Sequence, residues 1–172
     1  MRTRAMINLQ KLTDEAFAIS LAKGYNQIED IERTMMLIIA DIGNAVEHDR
    51  VGHDTAKEAS LANVVIRIAT LMGAVADTLD CKDDEQMRSA RRTAQWMYEH
   101  VSFPAMCLHL CDGVSRAHSQ MQIDRVRWQN CLKQDAWQVI QYCDITRIDL
   151  ESRINEILEF QKSNPRNPKT RY

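Results

Sequence analysis

Apolar residues recur every three or four positions along most of the chain, which is the spacing of one face of an α-helix. The first such run contains Leu9, Leu12, Ala16 and Ile19 and stops at Gly24. Glycine readily adopts the left-handed conformation that ends many helices. The pattern therefore predicts a first helix that ends at this glycine.

A second helix is predicted from about Gln27 to Arg50, where Gly52 breaks the pattern. Thr55 and Glu58 then have the spacing of a capping box and predict the start of a third helix, which continues to about Leu79. The residues predicted to face the core are Met35, Ile38, Ile42 and Ala45 on the second helix, and Leu61, Val64, Ile68, Leu71 and Val75 on the third.

Four more helices are predicted in the second half of the chain. Their start signals are Asp83 with Gln86, Pro104, Asp124 and Asp149, since acids cap helices and proline suits a first turn. Their ends are predicted near Tyr98 for the fourth, Ser119 for the fifth and Lys162 for the seventh. No stretch alternates as a strand does. We predict one all-α domain over residues 1–163, a bundle of six to seven helices, with a basic tail over 164–172.

A weak internal repeat links the two halves. Residues 36–48 resemble the segment that begins at Cys107 when Ile42 is set against Val114 and Ala45 against Ala117, and LANVVIRIATLM (61–72) falls against LKQDAWQVIQYC (132–143) once one residue is dropped between the two matches. This predicts a first helical unit over 6–80 and a degenerate second unit over 82–155. The alternative is that any two amphipathic helix pairs align this well through their shared period.

Composition narrows the class of protein. The 172 residues can form one domain with a sizeable core, and the net charge of -2 gives no general basic field, so a nucleic-acid partner is not indicated. No segment is long and apolar enough for a membrane span, and the first residues lack a secretory apolar core. Five cysteines in such a chain indicate reduced thiols and a cytoplasmic location.

Two helices carry a resemblance to a known family. IERTMMLIIADIGNAVEHDR (31–50) and LANVVIRIATLM (61–72) are similar to the paired metal-site helices of the MazG-like all-α nucleoside triphosphate pyrophosphohydrolases, whose patterns are roughly SELSEALE and EELADVVIRI. The lead-in at 19–38 and the closing segment at 154–172 are similar to that family as well. Laid over the patterns, the four acid positions of the family fall on Asp41, Asn44, Ser60 and Asn63. We call these four the cage positions.

The resemblance implies a Mg²⁺ site that has lost most of its ligands. In the family, four carboxylates hold Mg²⁺ and activate water for attack on a nucleoside triphosphate. Here Asp41 is the one carboxylate left, so we expect it to be at most a weak metal ligand and Mg²⁺ binding to be weak or absent. The equivalent positions of the second unit are Gly113, Arg116, Cys131 and Gln134. An arginine there would repel a metal ion.

Other side chains could contribute chemistry. In the basic tail, Lys162, Arg166 and Lys169 could contact phosphates, although a frayed and solvated terminus is the more common case. A rearranged site could use five charged residues, each of which is more often a solvated surface charge: Glu47, Arg50, Glu58, Arg67 and Asp77.

Cysteine, histidine and tryptophan give no metal or base-stacking motif. Cys107 and Cys111 lie four apart on a predicted helix with His109 and His118 nearby, but no second ligand pair with zinc spacing follows them. We therefore expect these cysteines to be small core residues. The tryptophans at 96, 128 and 137 are expected to anchor the core or an interface.

The sequence supports three functional hypotheses. The first is a MazG-like protein that binds a nucleotide or a protein partner with little or no Mg²⁺-dependent hydrolysis. The second is an active pyrophosphohydrolase, converting a nucleoside triphosphate to the monophosphate and pyrophosphate with unfamiliar metal ligands. The third is a purely structural or regulatory helical module. We also expect a homodimer, because Met121, Trp128, Trp137 and Ile140 give the second half more apolar surface than one helix pair would cover.

Overall fold

The chain folds into an α-helical bundle. A computed structural model describes residues 7–24, 31–75 and 84–164, and within these ranges there are seven helices and no strand. The predicted all-α bundle of six to seven helices is confirmed. No helix in the described ranges combines the length and the apolar character needed to cross a membrane. The helices are α1 (Leu9–Ala22), α2 (Ile31–Arg50), α3 (Asp54–Val75), α4 (Asp84–His100), α5 (Phe103–Met121), α6 (Arg125–Ile145) and α7 (Leu150–Ser163).

Most of the predicted helix ends are confirmed by their capping geometry. Gly24 follows α1 with a φ of +73°, in the left-handed region. The side chain of Asp124 accepts hydrogen bonds from the first backbone N–H groups of α6, and that of Asp149 does the same for α7. Pro104 lies in the first turn of α5, where the side chain of Ser102 is the cap. These caps satisfy N–H groups that have no partner inside a helix.

The predicted cap of α3 is wrong by at least one residue. The helix begins at Asp54, so Thr55 lies inside the first turn rather than before it. A carboxylate at this end interacts favourably with the positive pole of the helix dipole, which explains the earlier start. The predicted starts of the second and fourth helices, at Gln27 and Asp83, and the predicted end of the third, at Leu79, lie outside the described residues.

Two central helices, α3 and α6, organise the bundle. They pack against each other, and α2 and α5 also contact one another. On one side α3 is covered by α1, α2 and α7, while on the other α6 is covered mainly by α4 and α5. The contacts of α1 and α2 with α3 therefore correspond to the contacts of α4 and α5 with α6.

Burial follows the predicted repeat. When Ile42 is set against Val114, every buried residue of α2 falls on a buried residue of α5. The segment 61–72 of α3 matches the segment 132–143 of α6 in the same way. Each buried residue of the first falls on a buried residue of the second, except Leu71, which falls on the half-buried Tyr142. Both helix pairs are joined by turns of equal length, at 51–53 and 122–124. This is the arrangement that a duplicated helix pair would produce, and a common origin of the halves remains a prediction.

The tryptophans divide between core and surface. Trp128 and Trp137 are buried in the core, as expected, whereas Trp96 is 54% exposed. Ile140 is buried as well and Met121 is half-buried. The apolar side chains on which the predicted homodimer was based are therefore covered within the chain, so they do not support a homodimer. The homodimer itself remains a prediction.

The contact of α1 with α3 depends on a glycine. A Cβ atom added at Gly73 would lie 2.5 Å from the Cβ of Phe17, which is too close for two carbon atoms. We expect Gly73→Ala to lower the free energy of unfolding by about 1–3 kcal/mol, because α1 would have to move away from α3.

The matched control is Gly43→Ala, since an added Cβ on this exposed face of α2 meets nothing within 4 Å. It should raise the free energy of unfolding by about 0.5–1 kcal/mol, the difference in helix propensity between the residues. Urea titrations followed by far-UV circular dichroism measure both effects. Equal stability of the two variants would contradict the close packing of α1 on α3.

Candidate functional site

The four cage positions lie on the packed pair of helices α2 and α3. Asp41 is 8% exposed and Ser60 is 6% exposed, whereas Asn63 is half-buried and Asn44 is exposed to solvent. Within the described residues, no hydrogen bond joins any of the four to another. The structure thus places the one remaining carboxylate in the helix interface.

Asp41 forms an ion pair with an arginine of the facing helix. The Nε of Arg67 donates a hydrogen bond to the Oδ2 of Asp41 at 2.5 Å. The side chain of Asp41 is 12% exposed and that of Arg67 is 35% exposed, so the pair is partly shielded from water. Low local polarity strengthens such a pair, and also makes an unpaired carboxylate there costly. Among the four of these further charged residues that the structure describes, Arg67 is thus the one that reaches a cage position.

The other charged residues named from the sequence do not reach Asp41. Glu47 and Arg50 pair with each other on the surface of α2, at 2.6 Å. Glu58 accepts a hydrogen bond from Arg153 of α7 at 3.2 Å, which ties α7 to α3. Asp77 lies outside the described residues. Their roles in the described structure are ion pairs of the bundle surface.

The second helix pair holds a buried carboxyl group that sequence reasoning missed. Asp135 of α6 is 3% exposed, and a Cβ atom added at Gly113 of α5 would lie 2.3 Å from each of its carboxyl oxygens. Only a glycine leaves room for this contact. Gly113 is also the residue aligned with Asp41. The pair α2 and α3 thus has its buried carboxyl group on α2, whereas the pair α5 and α6 has its buried carboxyl group on α6. The sequence signal was an aspartate at a core position, between Leu132 and Val139.

The environment of Asp135 favours the protonated acid. Its Oδ2 has no hydrogen-bond partner in the described part of the chain. Burial raises the pKa of this carboxyl group well above its usual range, and the charge of Asp112 adds to the rise, while Arg116 opposes it. Arg116 lies on the exposed side of α5 and pairs with Asp112 at 3.4 Å. The other second-unit positions, Cys131 and Gln134, are half-buried.

The described residues offer no metal centre. Across 7–24, 31–75 and 84–164, no three His, Cys, Asp or Glu side chains converge in a way that could hold a metal ion. Asp41 alone, already paired with a guanidinium, does not fit the carboxylate cage that Mg²⁺ requires. Cys107 is a buried core residue, as predicted, and burial raises the pKa of its thiol to about 12. Cys111 is half-buried.

Of the three residues predicted to contact phosphates, the structure describes Lys162, which lies near the end of α7. The Nζ of Lys162 donates hydrogen bonds to Glu15 of α1 and to Glu159, each at 2.7 Å. These two carboxylates raise the pKa of Lys162 to about 12. The ammonium group therefore joins α7 to α1, and two acids already neutralise it. Arg166 and Lys169 lie outside the described residues.

Comparisons with protein-family models, with curated proteins and with solved structures find no match. The resemblance to MazG-like proteins therefore depends on the motifs quoted from the sequence, and the site must be interpreted from its own residues.

The pair formed by Asp41 and Arg67 can be tested by a double-mutant cycle. We expect Arg67→Met to lower the free energy of unfolding, because it leaves a buried carboxylate without a partner. Asp41→Asn keeps the shape of the side chain and should be milder. The coupling energy from urea titrations of the two single variants and the double variant should be about 1–3 kcal/mol. A coupling energy of zero would mean that water, rather than Arg67, compensates Asp41.

Asp135 predicts a pH dependence of stability. Because its pKa is raised in the folded chain, the folded state holds the proton more tightly than the unfolded state does. Stability is therefore greatest below the unfolded pKa and falls as pH rises towards the folded pKa, by at most about 1.4 kcal/mol per pH unit.

Asp135→Asn should abolish this decline and raise the free energy of unfolding at pH 7 by about 1–3 kcal/mol, because an amide carries no charge to bury. The exposed Asp14→Asn is the control and should leave the decline in place. Urea titrations between pH 4 and pH 8 measure both variants. A loss of stability in Asp135→Asn at neutral pH would show that the ionised carboxylate has a stabilising partner.

Proposed function

We propose that this chain is a MazG-like helical bundle that acts by binding, either a nucleotide or a protein partner, with little or no release of pyrophosphate. The observation that carries the proposal is the ion pair between Asp41 and Arg67. It occupies the one carboxylate that remains at the cage positions.

Charge balance is the physical reason. The family pattern carries an arginine at the place of Arg67 too, and beside four carboxylates one guanidinium leaves an excess of negative charge. Here one guanidinium faces one carboxylate, so the local charge is neutral. Two unit charges 4 Å apart interact by about 4 kcal/mol at an effective dielectric constant of 20, so each lost carboxylate removes a large part of the attraction for a divalent cation. Without that cation, no bound water is made acidic enough to attack a phosphate.

The second helix pair gives the same result. Its positions equivalent to the cage carry a glycine, an arginine, a cysteine and a glutamine, and Arg116 brings positive charge. Burial raises the pKa of the buried acid of this pair, Asp135, and so disfavours its ionised form. Neither pair therefore supplies the cluster of ionised oxygens that Mg²⁺ needs.

A nucleotide remains a candidate ligand because of Arg67. Its Nε is used by Asp41, its side chain is 35% exposed, and within the described residues its other N–H groups form no hydrogen bond. Arginine held by a carboxylate is well oriented for a phosphate group. A nucleotide could therefore bind here through Arg67 without a metal ion.

The proposal predicts that pyrophosphate release stays near background. The wild-type chain would be incubated with a panel of NTPs and dNTPs and either Mg²⁺ or Mn²⁺. The triple variant Asn44→Glu, Ser60→Glu and Asn63→Asp should raise the affinity for Mg²⁺, measured by calorimetry, because it restores the missing carboxylates. Its control is the same triple variant with Asp41→Asn, which should bind Mg²⁺ more weakly. Robust turnover by the wild-type chain, abolished by Asp41→Ala, would overturn the proposal in favour of an active hydrolase.

A thermal-shift screen with the same nucleotides separates the two kinds of ligand. A ligand at about 100 times its Kd stabilises the folded state by about 2.7 kcal/mol, which is readily detected. A shift that disappears in Arg67→Met would identify the nucleotide as the ligand. If no nucleotide shifts the thermal midpoint, the remaining hypotheses are that the chain binds a protein partner or that it is a purely structural module.

A further inference from the structure

The outer face of α4 carries two exposed arginines and an exposed tryptophan. Ala90, Ala94 and Met97 are buried against the bundle. On the opposite side, Arg88, Arg92 and Trp96 follow one another at intervals of four residues, so their side chains lie along one line. We call this line of three residues the α4 face.

The two arginines of the α4 face carry uncompensated charge. Both are exposed, and within the described residues neither forms an ion pair or a hydrogen bond with a side chain. Their neighbour Arg91 behaves differently, since its Nη1 lies 3.3 Å from Asp144 and 3.2 Å from Gln141 on α6. Arg91 therefore fastens α4 to the bundle, while Arg88 and Arg92 point their charge outwards.

Trp96 is held in place but left open. Its ring stacks on that of His100, with 5.4 Å between ring centroids and 13° between the planes. The Nδ1 of His100 lies 2.9 Å from the backbone oxygen of Trp96, which steadies the stack. Even so, Trp96 is 54% exposed. An ordered tryptophan loses little conformational entropy when a partner covers it, and tryptophan and arginine dominate binding energy at protein interfaces.

The side chains of α4 enclose a shallow groove of about 500 Å³ that is wide open to solvent, and all the residues that line it belong to this helix. Besides the α4 face, the groove is lined by Arg91, Gln95 and Glu99. The hydrocarbon stems of the arginines and the indole ring offer apolar surface, and the guanidinium groups lie at its margin. The groove can therefore take an apolar side chain while the cations take carboxylates beside it.

We propose that the α4 face binds an acidic segment of a partner protein, with an apolar side chain against Trp96 and carboxylates on Arg88 and Arg92. This deepens the binding role proposed above and names the chemistry of the partner. A nucleic acid fits less well, because its binding depends on contacts with many phosphates and two arginines provide few of them.

The experiment uses the full chain and three fluorescent probes in anisotropy titrations at low and moderate salt. The first probe is a synthetic helical peptide with glutamates four residues apart around a central leucine. The second replaces its glutamates by glutamines, and the third is an oligothymidine of similar length. The acidic peptide should bind about tenfold or more tightly than the other two, and its affinity should fall as salt rises.

Variants localise the binding. The double variant Arg88→Glu with Arg92→Glu should lower the affinity for the acidic peptide by about tenfold or more. Trp96→Ala should lower it by about fivefold or more. The matched control, Arg33→Glu with Arg147→Glu, reverses two exposed arginines elsewhere and should change the affinity little. All these side chains are on the surface, so thermal midpoints should stay close to that of the wild-type chain.

Three outcomes would overturn the inference: unchanged peptide binding in Arg88→Glu with Arg92→Glu, tighter binding of oligothymidine than of the acidic peptide, or binding of none of the probes. The pyrophosphate assay does not involve α4. A failure of peptide binding would therefore leave the proposal of a non-hydrolytic chain intact, and turnover by the wild-type chain would leave the α4 face intact.

Discussion

The bundle depends on the contact between α3 and α6. Each of these helices is surrounded by other helices on most of its circumference, so each must be covered before it can be stable in water. All the other helices are arranged around this requirement. The tight turns at 51–53 and 122–124 place α2 beside α3 and α5 beside α6, while α1 packs on α3 and α4 packs on α6. The candidate site lies where it does because α2 covers α3.

The two central helices solve the same problem with different side chains. Helix α3 is apolar along most of its length, and its ionic contacts with α2 are the pairs of Arg67 with Asp41 and of Lys57 with Asp49. Helix α6 buries several polar residues, among them Lys133, Asp135 and Gln141. Its contact with α5 leaves room for a carboxyl group by placing Gly113 opposite to it. Similar backbone packing is thus compatible with an acid paired to an arginine in one helix pair and with a buried acid packed against a glycine in the other.

Local signals in the sequence were sufficient for the helices. Apolar spacing and start signals together located all seven, and Gly24, Asp124 and Asp149 marked ends that the structure confirms, because helix ends depend on residues close to them in the chain. Contacts between helices were harder to predict from the sequence. The partner of Asp41 is twenty-six residues away in the chain, at Arg67, and the sequence placed this arginine only among several charged candidates.

Exposure was the hardest property to predict, because it is set by the whole bundle rather than by one helix. Trp96 was grouped with Trp128 and Trp137, yet it lies on the surface while the other two are buried. Asp135 was overlooked because a carboxyl group at a core position goes against the general rule that charges avoid the interior. The interior has room for this carboxyl group because Gly113 of the neighbouring helix has no side chain.

The matching arrangement of the two helix pairs within one chain has a consequence for how the protein tolerates change. Helices that come from two separate chains meet only as often as concentration allows, whereas linked helices face each other at a high effective concentration whatever the amount of protein. Joined helix pairs are also free to differ, since a substitution in one is not repeated in the other. The chain shows this freedom, with Asp41 on α2 where α5 carries Gly113. Such an asymmetric bundle can keep one half for stability while the other half acquires a new surface.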